Sequence, residues 1–364
     1  LRAPLLRLRA AFRSTGRIGG DGVGPEVVAV GARVLDAIRE QRGRALEWES
    51  FDLGAERFLR DGTTFPDDVR SRLKNEFHAV LLGAVGDRRV PDNRHAHDIL
   101  FGMRFGFDLY ANVRPVQCLD DRLMPLKGRR ASDCDFVVFR ENTEGLYAGI
   151  GGTLKQGTPH EVAITEAVYT RLGVERIIRA AFEFARRSGR RKVTLADKHN
   201  AMPHAHGLWL RTFREVAAEY PEIVAEQLFV DALCLFVVQD PARFDVIVAC
   251  NLFGDIISDL AAALQGGMGM APSANLRPNE PEHVALFEPV HGSAPDLAGK
   301  DRANPFATVL SVGMMLAHFG YPEDEELLRG IVREGLLNGN CTADVGGALG
   351  TRAVGDWVVS RIRA

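Results

Sequence analysis

Asp255 and Asp259, four residues apart in VIVACNLFGDIISDLAAAL (246–264), are the pair whose spacing points most directly to chemistry. The stretch is a short apolar run that breaks at Asn251 and Gly254 and resumes with helical spacing. Positions i and i+4 share one helix face, so the carboxylates project together, while Ile256, Ile257, Leu260 and Leu264 turn toward a core. Adjacent carboxylates repel, and paired oxygen ligands suit a hard cation such as Mg²⁺ or Mn²⁺. A solvated acidic face, eased by the helix dipole, is the alternative.

Cationic side chains make a second set. Arg104 (FGMRFGF), Arg114 (ANVRPV) and Arg140 (VVFRENTEG) each sit among apolar or small residues. An arginine so flanked is either paired in the interior or faces a cleft. Guanidinium forks grip carboxylates bidentately, so three of them suit a di- or tricarboxylate. Arg140 ends an expected strand, where α/β sheets place ligands. Tyr147, seven residues on, is a proton donor or a packed ring. Lys198, in TLADKHNAM, ends another strand; it is a base if burial or nearby positive charge lowers its pKa, and otherwise a solvated strand end. Asp231 opens a helix in FVDALC, where capping alone would account for it. His95/His97 and His204/His206 are spaced two apart and face different sides of a helix, which argues against zinc. LFEPVHGSAPDLAGKDRANP (286–305) is too irregular for regular structure and too apolar for disorder, and such a loop in a compact domain binds something. Asp296 in it could accept hydrogen bonds from a ribose diol and repel a 2′-phosphate, so that if the ligand is a dinucleotide, NAD is favoured over NADP.

These side chains need elements to hold them. IGGDGVGPEVVAVGARVLDAIRE (18–40) reads as a glycine turn, a proline at the first helical position and an amphipathic helix. Its glycines miss the dinucleotide fingerprint, whose third glycine comes one position later. Helices are expected near 53–60, 67–76, 166–187, 204–220 and 307–320, and strands at HAVLLGAVG, 135–139, 192–196 and 244–249, with a short apolar segment at 228–238. Such alternation implies an α/β protein, re-entered as a second unit through the glycine-rich 266–276. GTLKQGTPHEVAIT (152–165) breaks the pattern, as an arm reaching a second subunit or as a surface hairpin.

The chain of 364 residues, 46% hydrophobic and 26% charged, has the composition of a soluble globular protein and the length of two domains. No apolar run reaches the roughly 18 to 20 residues that span a bilayer. A net charge of −3 offers no basic field for nucleic acid. Five scattered cysteines fit a reducing compartment, so a cytoplasmic location is expected. The first seventeen residues, LRAPLLRLRAAFRSTGR, are arginine-rich and lack acids; they are read as a non-functional extension, the alternative being a mitochondrial presequence.

GDGVGPEV, LYANVRP, FRENTEGLY, DKHNA, NLFGDIISDL and FEPVHGSAPDLAGKDRANP occur in this order. Together they resemble the β-decarboxylating dehydrogenases of isopropylmalate, isocitrate, homoisocitrate, tartrate and D-malate, from about residue 18 to the C-terminus. The resemblance implies an isocitrate/isopropylmalate dehydrogenase-like fold: two α/β domains with an active-site cleft between them. Residues 1–109 and 266–364 would form the large domain, and 110–265 the small one with a dimerisation arm near 150–165. A homodimer with shared sites follows. Arg104, Arg114 and Arg140 would clamp substrate carboxylates. Asp255 and Asp259 would bind Mg²⁺ or Mn²⁺ with Asp231 reaching in from the partner, as would Lys198. The NAD loop would run from Glu288 to Asn304 through His291, Gly292, Ser293 and Ala294, with Asp296 on the adenosine ribose and Asn200 near the nicotinamide. The implied reaction is oxidation at C2 with Lys198 taking the hydroxyl proton, loss of the β-carboxylate, and protonation of C3 by Tyr147.

Two departures stand out. The family has an apolar strand before the glycine turn, whereas FRSTGRIGG is polar and basic, which leaves that strand in question. Leu100 and Phe101 occupy the position that in the family faces the C3 substituent, where bacterial-type isocitrate enzymes carry Ser and Asn. Apolar residues there suit an isopropyl group or a small uncharged face. Against this, RENTEG replaces the RELTGG of the isopropylmalate branch, and GTPHEVAI with PSANLRP resembles the D-malate and tartrate branch. The balance falls on an isopropylmalate-type acid, with D-malate or tartrate next and isocitrate or homoisocitrate after them. A catalytically silent subunit of the same fold would have lost the arginines, the lysine or the aspartates, and this chain keeps them all.

Overall fold

The computed structural model describes residues 12–364. The polar stretch before the glycine turn is a strand after all. β1 (Arg13–Ile18) lies between parallel β2 (Leu46–Phe51) and β3 (Ala79–Leu82), with α1 (Gly24–Arg42) between β1 and β2 in the chain, and α2 (Ala55–Asp61) and α3 (Asp67–Glu76) before β3. Its polar side chains find partners: Ser14 Oγ donates to Glu76 O at 2.9 Å, and the Arg17 guanidinium reaches Ser50 Oγ and lies over the Trp48 ring. A strand flanked on both edges is held by its backbone bonds, so its side chains need not all be apolar. Residues 13–17 therefore belong to the sheet, whereas the reading of the first seventeen residues as an extension set them apart from the fold; positions 1–11 of that reading lie outside the described residues.

The chain continues through α4 (Arg94–Gly106), β4 (Ala111–Gln117), β5 (Asp135–Glu141), the hairpin of β6 (Gly151–Leu154) and β7 (Val162–Thr165), and α5 (Arg171–Ser188). Then come β8 (Lys192–Asp197), α6 (Ala205–Ala217), β9 (Val224–Phe229), α7 (Val230–Gln239), β10 (Val246–Ala249) and α8 (Asn251–Ala262). β11 (Pro272–Leu276), β12 (Ala285–Pro289), α9 (Phe306–His318), α10 (Pro322–Leu337) and α11 (Thr351–Arg363) complete it. The apolar segment expected at 228–238 is split: the end of β9 runs directly into α7. Periodicity alone does not separate so short a strand from the helix that follows it.

Ten strands form one sheet in the order β2-β1-β3-β12-β11-β4-β5-β10-β8-β9. β2, β1, β3 and β12 are parallel, as are β5, β10, β8 and β9; the antiparallel pairs β12/β11, β11/β4 and β4/β5 join the two sets. Four main cores cover it. α1, α9, α10 and α11 bury Leu35, Ile38, Phe306, Leu316, Val332 and Val358, while Leu73, Ile99 and Met103 of α3 and α4 pack with Ile18 and Leu82. On the other half, α5 and α6 enclose Ile177, Phe182, Trp209 and Phe213, and α7 and α8 bury Leu233, Val237, Ile257 and Ala261. Ile256, expected to face a core, is half exposed. No helix among the described residues is long and apolar enough to cross a membrane.

Candidate active site

The antiparallel centre of the sheet is where the arginines gather. Register places Glu288 beside Ser273, Asn275 beside Asn112, and Asn112 beside Arg140. Side chains two residues apart on a strand share a face, so Glu288, Ser273, Asn275, Asn112, Arg114 and Arg140 all project from the same side. α8 lies against that side because Gly254 permits it: a Cβ at that position would stand 2.6 Å from Arg140 Cγ. The helix thereby brings both aspartates to the arginines.

Arg140, 2% exposed, donates through Nε and Nη2 to Asn251 Oδ1 at 3.0 and 2.8 Å and pairs through Nη1 with Asp255. Arg114 donates to Asn112 Oδ1 at 2.7 Å, Ser258 Oγ at 2.7 Å and Asp259 Oδ1 at 3.2 Å, with Asp255 Oδ1 at 3.5 Å. Arg104 of α4 donates to Glu288 Oε1 at 2.8 Å, an oxygen that also accepts from Asn275 at 2.9 Å. Tyr147 Oη donates to Asp255 Oδ2 at 3.2 Å, and the Tyr147 ring stacks on Phe101 with centroids 6.0 Å apart. Leu100, Phe101, the three arginines, Tyr147, Asp255, Glu288, His291 and Gly292 line one cavity of about 230 Å³.

Burial and mutual repulsion shape the electrostatics of this cavity. Burial first, then the positive charge of Arg114 and Arg104, push the Arg140 pKa down to about 9. Arg114 is lowered too, by burial and against the pull of Asp255. The three buried guanidiniums lie close together, and each is matched by a carboxylate: Arg104 by Glu288, Arg114 by Asp259 and Arg140 by Asp255. Burial raises the Asp259 carboxyl above its ordinary value, opposed by Arg114 and assisted by Asp255. Burial, and next the Asp255 charge, also raise the Tyr147 phenol, so it carries its proton at neutral pH.

Lys198 and Asp231 stand apart from this cavity. Lys198, just after β8, reaches Asp231 Oδ1 at 2.5 Å, and this bond holds the Asp231 carboxyl below its usual range. Asp231 lies inside α7 and does not cap it; Phe229 is the capping residue. Asn200 is exposed in the turn that follows. Among the described residues, the one group of three metal-ligating side chains within reach of a single ion is Glu280, Glu282 and His283. Asp255, Asp259 and Asp231 thus do not converge within one chain. As hard oxygen donors on one helix face, Asp255 and Asp259 fit a divalent ion but leave coordination for a third donor.

A second cluster borders the cavity at the ends of β1, β3 and β12. Ser293 O accepts from Val23 N at 2.9 Å, so the loop after β12 rests on the glycine turn after β1. Ala294 adopts a left-handed conformation, φ 39°, and Asp296 is exposed with Arg88 at 4.0 Å. The Asn304 amide is engaged within the chain, giving to Asp344 at 3.0 Å and accepting from Phe306 N at 3.0 Å. His95 and His206 are both fully buried; His206 accepts from Lys198 N, and burial lowers its pKa to about 4. Reading the sequence missed Asn112, Asn251, Ser258 and Asn275, the neutral groups that hold the arginines. Asn112 carried a signal, standing two residues before Arg114 on the same strand face.

Fold and site together define an α/β protein with an arginine-lined cavity beside a loop cluster at parallel strand ends. The chain belongs to the isocitrate/isopropylmalate dehydrogenase family, whose model matches residues 15–358. It is similar to the 3-isopropylmalate dehydrogenase of Thermobifida fusca (strain YX), 46% identical over 345 residues that cover 95% of this chain and 96% of that one. The 3-isopropylmalate dehydrogenase of Streptomyces coelicolor is 47% identical over 343 residues, 93% of this chain and 97% of its own. Among solved structures, an isocitrate dehydrogenase from Methylococcus capsulatus matches with a TM-score of 0.85 and 37% identity, covering 97% of this chain and all of that one.

Proposed function

We propose that this protein is an NAD-dependent decarboxylating dehydrogenase of a (2R)-malate-type acid, with 3-isopropylmalate as its substrate. The observation that carries the reading is the convergence of Arg104, Arg114, Arg140, Tyr147 and Asp255 on one cavity, in a chain 43–48% identical to relatives of that activity. The arginines take the substrate carboxylates, exchanging their bonds to Asp255, Asp259 and Glu288 for bonds to the ligand. Leu100 and Phe101 offer the C3 substituent an apolar wall. The protonated Tyr147 delivers a proton to C3, and Lys198 of the partner subunit receives one from the C2 hydroxyl. A divalent cation held by Asp255, Asp259 and the partner subunit's Asp231 would neutralise charge developing on the substrate, and NAD⁺ held along 288–304 would accept hydride.

A homodimer completes the site in this reading. Two features support it: the β6/β7 hairpin, whose residues are all exposed yet include Leu154 and Ile164, and the exposed Leu235, Val238 and Ile256 on α7 and α8. We assign residues 12–109 and 266–364 to a large domain and 110–265 to a small one. NADH formation with Mg²⁺ and isopropylmalate, D-malate, tartrate, isocitrate or homoisocitrate tests the reading. Turnover led by isopropylmalate is the expected result. Preference for D-malate would reassign the substrate, and no turnover by a folded dimer would refute the enzyme.

A further inference from the structure

None of these roles uses the buried pair Asp21 and His95. Asp21 lies in the glycine turn between β1 and α1, 6% exposed; His95, in the first turn of α4, is fully buried. The Asp21 carboxylate collects hydrogen bonds from three separate segments. Oδ1 accepts from Ala55 N, where α2 begins, at 2.6 Å. Oδ2 accepts from Gly86 N, in the loop after β3, at 2.7 Å, and from His95 Nε2 at 2.9 Å. A carboxylate only accepts, so the ring proton sits on Nε2, and Nδ1 is buried without a partner. Phe58 of α2 stacks on the ring at 6.1 Å.

The same turn shapes the loop after β12. Gly22 has φ 58°, and a Cβ there would stand 1.9 Å from Ser293 O. Asp21 N donates to Ala84 O at 2.7 Å, and Val23 N donates to Ser293 O at 2.9 Å. One carboxylate therefore fixes the loops after β1 and β3 to each other, and its immediate neighbours carry Ser293. Burying a carboxylate is costly, and apolar side chains would fill this space at lower cost. They could not bond three segments at once.

We propose that Asp21 and His95 are positioning residues for the dinucleotide pocket. They hold the loops after β1 and β3 in register with Ser293 to Asp296, and set affinity for NAD⁺ without touching it. The proposal rests on reading the loop from Glu288 to Asn304 as the dinucleotide site.

The test uses the full chain, NADH binding by fluorescence titration, and steady-state kinetics. His95→Leu and Asp21→Asn are expected to weaken NADH binding and raise the NAD⁺ KM about tenfold, the scale of one charge-assisted hydrogen bond, while the hydroxy-acid KM stays put. His95→Gln, whose amide nitrogen can replace Nε2, is expected to return NADH affinity to within about threefold of the parent. If Asp21→Asn does not fold, the two His95 variants decide the matter. His95→Leu that lowers Tm but leaves NADH affinity unchanged, or that raises both KM values equally, overturns the proposal. A parent protein that binds no NADH overturns the reading of the loop and the proposal with it.

Discussion

Replacing Asp255 by Asn separates the electrostatic role of this carboxylate from its shape. The amide keeps the volume, and its oxygen can still accept one bond, but the charge opposite Arg140 and Arg114 is lost. Arg140 would keep Asn251 as its neutral partner, 2.8 Å from Nη2, and Arg114 would keep Asp259. Removing one member of a fully buried ion pair costs about 3–5 kcal/mol. The Asp255 side chain is 32% exposed, so solvent screens part of that, and a loss of about 1–2 kcal/mol is expected, a few degrees in Tm. Turnover should respond far more strongly. A site that has lost one oxygen donor for its cation should fall by roughly 10³-fold or more in kcat, with raised Mg²⁺ no longer saturating. Calorimetry and Mg²⁺-dependent NADH formation measure the two effects on the same sample. A kcat within about threefold of the parent, with Tm lowered as above, would remove Asp255 from the chemistry and leave it a structural ion-pair partner.

Further outcomes follow from the same geometry. Asp259 has a raised pKa, so in the metal-free protein its protonated form is favoured on folding; its stability contribution is full below the ordinary carboxylate value and lost as pH rises through its raised value. The metal-free parent should therefore lose Tm relative to Asp259→Asn as pH rises through this window, and added Mg²⁺ should reverse that relative loss; a Tm difference between the two that does not change with pH would contradict the assignment. Asp296→Lys, at an exposed position beside Arg88, should shift the kcat/KM ratio of NAD⁺ to NADP⁺ at least about tenfold toward NADP⁺; an unchanged ratio would exclude Asp296 from the ribose contact. Leu154→Asp with Ile164→Asp on the exposed hairpin should yield monomers in light scattering and abolish turnover; active dimers would make the hairpin an ordinary surface element.

Elements carried by a local pattern were legible in the sequence. The aspartates on α8, the proline-led α1 and Arg140 at the end of its strand followed from periodicity and from what a guanidinium needs in an apolar setting, whereas β4, which carries Arg114, was not read as a strand. Groups whose meaning depends on distant partners were not. His95 read as half of an unconvincing zinc pair because Asp21 lies 74 residues away, and nothing near either residue announces the bond. Asn275 is bonded to Asn112 and Asn142, more than a hundred residues distant, and reads locally as a polar residue in a strand. β1 was obscured for a related reason: its side chains are satisfied by Glu76, Ser50 and Trp48, on segments that only the sheet brings alongside.

Subunit mixing measures most directly whether the site is divided between two chains. Lys198→Ala and Asp255→Asn homodimers should each be inactive with isopropylmalate, NAD⁺ and Mg²⁺. Dissociated, mixed equally and reassociated, they should regain about a quarter of the parent activity, since half the dimers would then carry one intact site of two. Mixtures that stay inactive despite confirmed heterodimers would mean that each chain supplies its own lysine and aspartate, and the shared site would be wrong.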